Sequence, residues 1–241
     1  MRKVKIEYRK WLFWHSASLE VPEQFGEMSQ AQMITIIRLY LGEINEEEFI
    51  ASFFSMGKRL VRRLEHFHRY KLVELVDFTR KEDSICTEIL IKEPDGKKHS
   101  SCPLNMLRNT TFKQFMLIDT LFSAYLASKS DDTLQQFIDA IYCYDSAESV
   151  NCDKATKMAV LFNWMFIKNM LSARFPLLFP EGSGEEKNEG VVKWLDIFDN
   201  FVGDDVAHMY DYERMLAMDV MRIMNKRIKD YNSRKLRTAR K

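Results

Sequence analysis

The residues from Leu104 to Tyr142 constrain the fold most, because two helix-forming patterns follow one another there with a short break between them. Thr111 precedes an apolar run, and Gln114 stands three residues later, which is the spacing of an N-terminal capping box. The apolar residues that follow cover more than half of the helix surface, which predicts a core helix. A polar break at residues 128–132 then supplies an aspartate cap for a second helix with one apolar face. We expect the two helices to pack as an antiparallel pair at the centre of the molecule.

The composition indicates a mainly α protein. Hydrophobic residues make up 46% and charged residues 29% of the chain, and only 8 glycines and 5 prolines argue against a loop-rich all-β design. We predict a multi-helix, bundle-like body with a small β element and a C-terminal helical arm. The β element combines an N-terminal strand over residues 2–10 with a hairpin near residues 85–101, where a β-branched run precedes the turn sequence EPDG. We favour one sheet from both parts, because an isolated hairpin is only marginally stable.

Local signals place further helices. Ser29 is the expected N-cap of one helix, and Asn45 with Glu48 has the spacing of a capping box for the next. Residues 57–71 read as a basic amphipathic helix. Residues 152–175 form the most apolar helix of the chain, which we expect to be buried on nearly all sides.

The chain divides at a stretch rich in Gly, Ser and Glu. The predicted organisation is a helical body with the small β element at 1–180, a linker at 181–190 and a helical arm at 191–241. The arm region is polarised in charge: eight acidic against two basic residues give residues 181–205 a net charge of −6, and nine basic against one acidic give residues 222–241 a net charge of +8. We expect the arm to pack either on its own chain or on a neighbouring subunit.

No specific chemical motif occurs in the sequence. It contains no Gly-rich phosphate loop, GxSxG, HExxH or CxxC pair, so we expect no catalytic residue, cofactor or metal. The four cysteines lack zinc-site spacing and are expected as reduced thiols of a cytoplasmic compartment. Asp196 and Asp199 share a helix side, with Asp204 and Asp205 close behind them, and form the one carboxylate cluster that could hold a hard cation, although such runs usually cap helices or solvate loops. No apolar segment reaches the ~20 residues that span a bilayer, so no membrane contact is expected.

The candidate interaction residues lie in the arm and in the basic helix. The partner-binding candidates are Trp194, Phe198, Phe201, Met215, Met218, Arg234, Lys235 and Arg237. The candidates for a basic face are Arg59, Arg62 and Arg63. Against these interpretations, a basic run is usually a solvated surface, and methionines at helical spacing usually pack in a core.

Three segments, LRNTTFKQFMLIDTLFSAYL, FPLLFP and VVKWLDIFDNFVG followed by a methionine-rich helix, cover roughly residues 104–240. In this order they resemble a loosely defined set of tail-region (virion morphogenesis) proteins of tailed phages and prophages of Bacteroidetes. The resemblance implies a non-enzymatic head-to-tail connector, tail component or tail-assembly factor. Its partners would be other phage structural or assembly proteins and further copies of itself, in the host cytoplasm during assembly and then in the virion.

Two other classes of function stay open. A nucleic-acid-binding protein would use the basic helix 57–71 and the basic C-terminus, whose cations would contact phosphates. A cation-dependent hydrolase would use Asp196 and Asp199.

Overall fold

The structure is a computed structural model that describes residues 1–10, 13–80, 84–179, 194–203 and 205–239; of residues 9, 10 and 236–239 it describes the backbone only. Its ten α-helices are α1 (Gln30–Tyr40), α2 (Glu46–Phe53), α3 (Lys58–Val61), α4 (His66–Glu74), α5 (Phe112–Ser128), α6 (Asp131–Tyr142), α7 (Lys154–Arg174), α8 (Trp194–Val202), α9 (Met209–Arg214) and α10 (Ala217–Ala239). The described strands are β1 (Arg2–Lys10) and β2 (Phe13–Val21). The predicted mainly α class is confirmed.

The small sheet is an antiparallel hairpin of β1 and β2. Side chains near its base, Ile6, Leu19 and Val21, are buried in the hydrophobic core. Near its tip, Phe13 and Trp14 are 71% and 67% exposed. The N-terminal strand is therefore where the alternation of charged and apolar residues predicted it, and its partner is the segment that follows it directly.

The hairpin predicted near residues 85–101 is corrected, because the structure, which describes this whole segment, forms no strand there. The segment is instead an irregular chain of bends and turns, in which residues 89–91 are buried. Side chains of Gln30, Tyr142 and Asn163, from α1, α6 and α7, form hydrogen bonds with the backbone between residues 88 and 93. These side chains take the place of a neighbouring strand, so Ile89, Leu90 and Ile91 are buried without joining a sheet.

The predicted starts of α1 and α2 are confirmed. The Ser29 hydroxyl accepts a hydrogen bond from the Gln32 backbone amide, and the Gln32 side chain accepts one from the Ser29 backbone amide. Asn45 and Glu48 form the same reciprocal pair of bonds. The first turn of each helix is therefore closed by its own sequence.

The single basic helix predicted over residues 57–71 is corrected to two short helices, α3 and α4. Glu65 is extended between them, at φ −62° and ψ 153°. After Val61 the backbone hydrogen bonds tighten to a spacing of three residues, from the Arg63 amide to the Leu60 carbonyl and from the Leu64 amide to the Val61 carbonyl. Such tight turns are common where a helix ends, so α3 stops before Glu65 and α4 begins after it.

The core is organised around α5, which contacts α6, α8, α9 and α10, while α7 packs on α1 and α6. Thr111 caps α5 by accepting from the Gln114 amide, as predicted. The Gln114 side chain does not close the box: its Nε2 donates to the carbonyls of Ser101 and Ala140, 3.1 and 3.2 Å away. Gln114 thus ties α5 to α6 and to the chain that precedes it.

The C-terminal helices belong to the same hydrophobic core as the rest of the described chain. The Phe112 amide donates to the Met215 carbonyl at 2.8 Å, and the Ala217 amide donates to the Thr110 carbonyl at 2.9 Å. These bonds join the start of α5 to the start of α10. The linker predicted at 181–190 lies outside the described residues.

Candidate interaction surfaces

A buried carboxylate fixes the position of α8. Asp119, in the middle of α5, is fully buried and accepts hydrogen bonds from the indole Nε1 of Trp194 at 2.7 Å and of Trp164 at 3.3 Å. Trp194 binds Oδ2, whereas Trp164 and the Lys168 ammonium, which lies 2.9 Å away, bind Oδ1. A buried charge requires such partners, so Asp119 connects α5, α7 and α8 at one point. The sequence signal that identifies it is a lone acidic residue inside the apolar run FMLIDTLF.

The three aromatic candidates of α8 face this core. Trp194, Phe198 and Phe201 are 2%, 0% and 8% exposed. The Trp194 ring packs edge-on against Phe112 and Phe115 of α5, with ring centroids 6.0 and 5.0 Å apart. In this arrangement the three rings are used within the chain.

The remaining candidates lie along α10 and just before it. Met215 and Met218 are half-buried against the core. Arg234 and Lys235 are exposed. Arg237 belongs to α10, but its side chain is outside the part of the chain that the structure describes.

The helix α10 leaves the body about halfway along its length. Arg227 attaches the middle of the helix to α8: its guanidinium lies 4.4 Å from the centroid of the Phe201 ring and donates to the Phe201 carbonyl at 2.7 Å. Residues 229–235 are all exposed. We call residues 229–239 the distal part of α10.

One side of α10 carries a basic stripe. Arg222, Lys226 and Lys229 are spaced four and three residues apart, which places them on one side over about 10 Å. All three side chains are exposed. The inward side of the same helix buries Val220 and Met221. The stripe is thus held toward solvent by the packing of the opposite side.

The second basic group lies on α3 and just after it, and carboxylates of α2 partly neutralise it. Arg59, Arg62 and Arg63 are all exposed. Arg62 Nε donates to a Glu47 oxygen at 2.6 Å, and the Lys58 ammonium lies 2.9 Å from Glu48. The hydrogen bond from Lys58, with that from the Asn45 backbone, lowers the pKa of Glu48 below its ordinary value.

A cysteine, a histidine and an aspartate meet near the end of α6. Cys143 Sγ lies 3.7 Å from His99 Nδ1, and His99 Nε2 lies 2.9 Å from Asp95 Oδ1. Burial raises the pKa of the Cys143 thiol, and Asp139, Glu148 and Asp95 raise it further. Because Cys143 is also at the negative end of α6, the environment favours the neutral thiol over the nucleophilic thiolate. The sequence analysis did not predict this cluster, because Cys143 is more than 40 residues from His99 and Asp95 in the chain.

The remaining observations concern the carboxylates of α8, metal ligands and membrane-spanning helices. Asp196 and Asp199 are both exposed on α8. Within the described ranges, no three His, Cys, Asp or Glu side chains gather in a way that could hold a metal ion. Among the helices that the structure describes, none is long and apolar enough to cross a membrane.

Comparisons with protein-family models, curated proteins and solved structures give no match to this chain.

Proposed function

We propose that the protein is a non-enzymatic assembly protein of a tailed phage that acts through protein–protein contacts, as a head-to-tail connector, tail component or tail-assembly factor. It binds other phage structural or assembly proteins and further copies of itself, first in the host cytoplasm and then in the virion. The phage setting is supported by the resemblance of residues 104–240 to tail-region proteins.

The observation that carries the interaction role is the exposure of residues 229–235 on distal α10. A short helical segment whose described side chains are exposed is marginal in water. A partner surface that packs on it would supply the missing stabilisation, as when a projecting helix docks into a groove. The basic stripe of Arg222, Lys226 and Lys229 reaches the start of distal α10 at Lys229. A partner surface complementary to this stripe is therefore acidic.

Two observations favour a protein over a nucleic acid as the partner. Phe13 and Trp14 at the hairpin tip and Tyr231 on distal α10 are exposed, and aromatic side chains are frequent anchors of protein interfaces. Two cations of the basic group around α3, Lys58 and Arg62, are paired with Glu48 and Glu47, which reduces the attraction of the group for phosphates.

The proposal is tested in infected cells. Mass spectrometry of purified virions should find the protein in many copies if it is a connector or tail component, and co-purification during infection should recover structural proteins in either role. The triple variant Arg222→Glu, Lys226→Glu, Lys229→Glu should lose these partners, whereas a matched variant, Lys97→Glu, Lys98→Glu, Lys154→Glu, should keep them. Absence from virions together with no structural protein in the co-purified material would refute the proposal.

A nucleic-acid-binding function is the alternative, and it is favoured by the net charge of +8 over residues 222–241. Phosphate contacts release counterions, so binding should weaken steeply between ~50 and ~200 mM salt. A gel-shift series with double- and single-stranded DNA would detect this dependence. No shift at ~50 mM salt would exclude the alternative, since phosphate contacts are strongest there.

A further inference from the structure

The outer edge of β1 lies open beside a helix. In the described part of the chain the sheet contains β1 and β2 only, so β1 has no strand neighbour on its other side. A groove of about 570 Å³ runs between this strand and α4. Its lining on the strand side is Val4, Lys5, Ile6 and Glu7. Because successive side chains point to opposite faces, four consecutive residues line one groove where it follows the backbone edge.

The groove has an apolar floor and a charged rim. Ile6 and Leu72 are buried at the floor, with Leu75 beside them. At the rim the Lys5 ammonium lies 3.6 Å from Glu7 and the Lys71 ammonium lies 2.6 Å from Glu74, and these surface pairs partly neutralise the two lysines. An extended peptide in this position would place alternate side chains toward the floor and toward the rim.

A smaller cavity extends the groove toward the hairpin tip. It shares Glu7 and His68 with the groove and reaches Tyr8 and Trp14. The two together follow β1 over five residues, which is about 17 Å of strand. This length accommodates a short strand of a partner.

The positive charge of β1 determines which kind of strand can bind beside it. The strand carries five basic residues and one acidic residue, a net charge of +4. Antiparallel pairing with a second copy of β1 about Ile6 would place Lys3 opposite Arg9, and like charges directly opposite are destabilising. Lysines on an edge strand also prevent unselective pairing. An acidic strand meets neither obstacle.

We propose that this groove binds an extended acidic segment of a partner protein, which adds to β1 as a third antiparallel or parallel strand. The backbone edge of β1 supplies hydrogen bonds, the floor around Ile6 and Leu72 receives apolar side chains, and Lys5 and Lys71 face carboxylates. This surface is separate from the stripe on α10, so it does not depend on the function proposed above.

The test uses the full-length protein and three labelled heptapeptides in fluorescence anisotropy at ~50 mM salt, where charge attraction is least screened. A peptide that alternates Val and Glu should bind saturably, and one that alternates Val and Lys should not. A Val/Glu peptide with alternate backbone amides N-methylated should bind at least about tenfold more weakly, because it lacks the donors for strand addition.

Variants locate the site. Lys5→Glu with Lys71→Glu should weaken binding of the Val/Glu peptide about tenfold, whereas Lys97→Glu with Lys154→Glu should leave it unchanged, with circular dichroism confirming that both variants are folded. Failure of the Val/Glu peptide to bind, equal binding of its N-methylated form, or equal binding by the groove variant overturns the proposal. Two further results would overturn the proposal, because they would identify a different ligand of the groove. One is an oligonucleotide that binds in place of the peptide, and the other is a dimer in light scattering that Lys5→Glu dissociates.

Discussion

The helix α8 and the distal part of α10 both belong to the predicted arm at 191–241, and α10 as a whole is amphipathic like α8, yet the environments of α8 and distal α10 are opposite. Trp194 and Phe198 of α8 are buried against α5, and the Trp194 indole donates to Asp119. Residues 229–235 of distal α10 are all exposed. The difference shows that an amphipathic pattern specifies which side of a helix is apolar and leaves open which surface covers that side. The polar partner, here Asp119, determines the location.

The largest expected effect comes from deleting residues 181–241. The deletion would expose Phe112 and Phe115, which are fully buried, and would leave Asp119 without its Trp194 donor. We expect the truncated protein to lose its cooperative thermal transition and its near-ultraviolet circular dichroism while keeping some helix. A cooperative transition near that of the full chain would show that α8 and the first half of α10 are dispensable for the core.

The substitution Trp194→Ala should lower the free energy of unfolding by about 3–5 kcal/mol, because it opens a cavity beside α5 and removes a donor from buried Asp119. Trp194→Phe keeps most of the packing and should lower it by about 1–3 kcal/mol. The matched control Trp14→Ala removes a 67% exposed ring and should change it by less than about 0.5 kcal/mol. Urea denaturation measures all three, and equal effects at the two tryptophans would contradict the contrast between buried and exposed surfaces.

Structure could be predicted from the sequence where nearby residues satisfy the backbone hydrogen bonds, and it could not where distant residues satisfy them. Ser29, Asn45 and Thr111 each cap a helix through an amide three residues away, so the local pattern was sufficient. The segment near 85–101 has the local pattern of a hairpin, but Asn163 and other side chains of distant helices satisfy its backbone. Nothing within the segment reports those partners.

The candidate sites follow the same division. The basic character of α10 is visible in its sequence, and so is its exposure on one side. The burial of Trp194 was not predicted, because the pattern of α8 suits an interface with a partner as well as one with α5. The lone Asp119 in α5 and Asn163 in α7, each inside an apolar run, were the available signals that those helices receive polar partners.

A smaller, pH-dependent effect is expected in the connection between α8 and α10. His208 Nδ1 lies 2.6 Å from Asp205, whose other oxygen accepts from the Tyr212 hydroxyl at 2.8 Å. The hydrogen bond with Asp205 raises the pKa of His208 above its ordinary 6.5, and the bonds from His208 and then Tyr212 lower the pKa of Asp205 below 3.8.

The directions of the two pKa shifts determine how the stability of the fold depends on pH. The raised pKa of His208 gives stability that is complete below pH 6.5 and lost as the pH rises through the raised value. The lowered pKa of Asp205 gives stability that is present above pH 3.8 and lost as the pH falls through the lowered value. The difference in Tm between the wild type and His208→Gln should therefore be largest between pH 3.8 and 6.5 and shrink above it. A difference independent of pH would assign the effect to packing instead.

The smallest effect on stability is expected from removing residues 232–241, the end of distal α10. The residues among them whose side chains are described are all exposed, so their loss should change the free energy of unfolding by less than about 0.5 kcal/mol in urea. Far-ultraviolet circular dichroism should lose only the signal of the missing turns. The same truncation removes Arg234, Lys235 and Arg237 and should weaken recovery of structural proteins from infected cells. Destabilisation comparable to that of Trp194→Ala would show that distal α10 packs on its own chain, and unchanged recovery would confine the interaction to the stripe from Arg222 to Lys229.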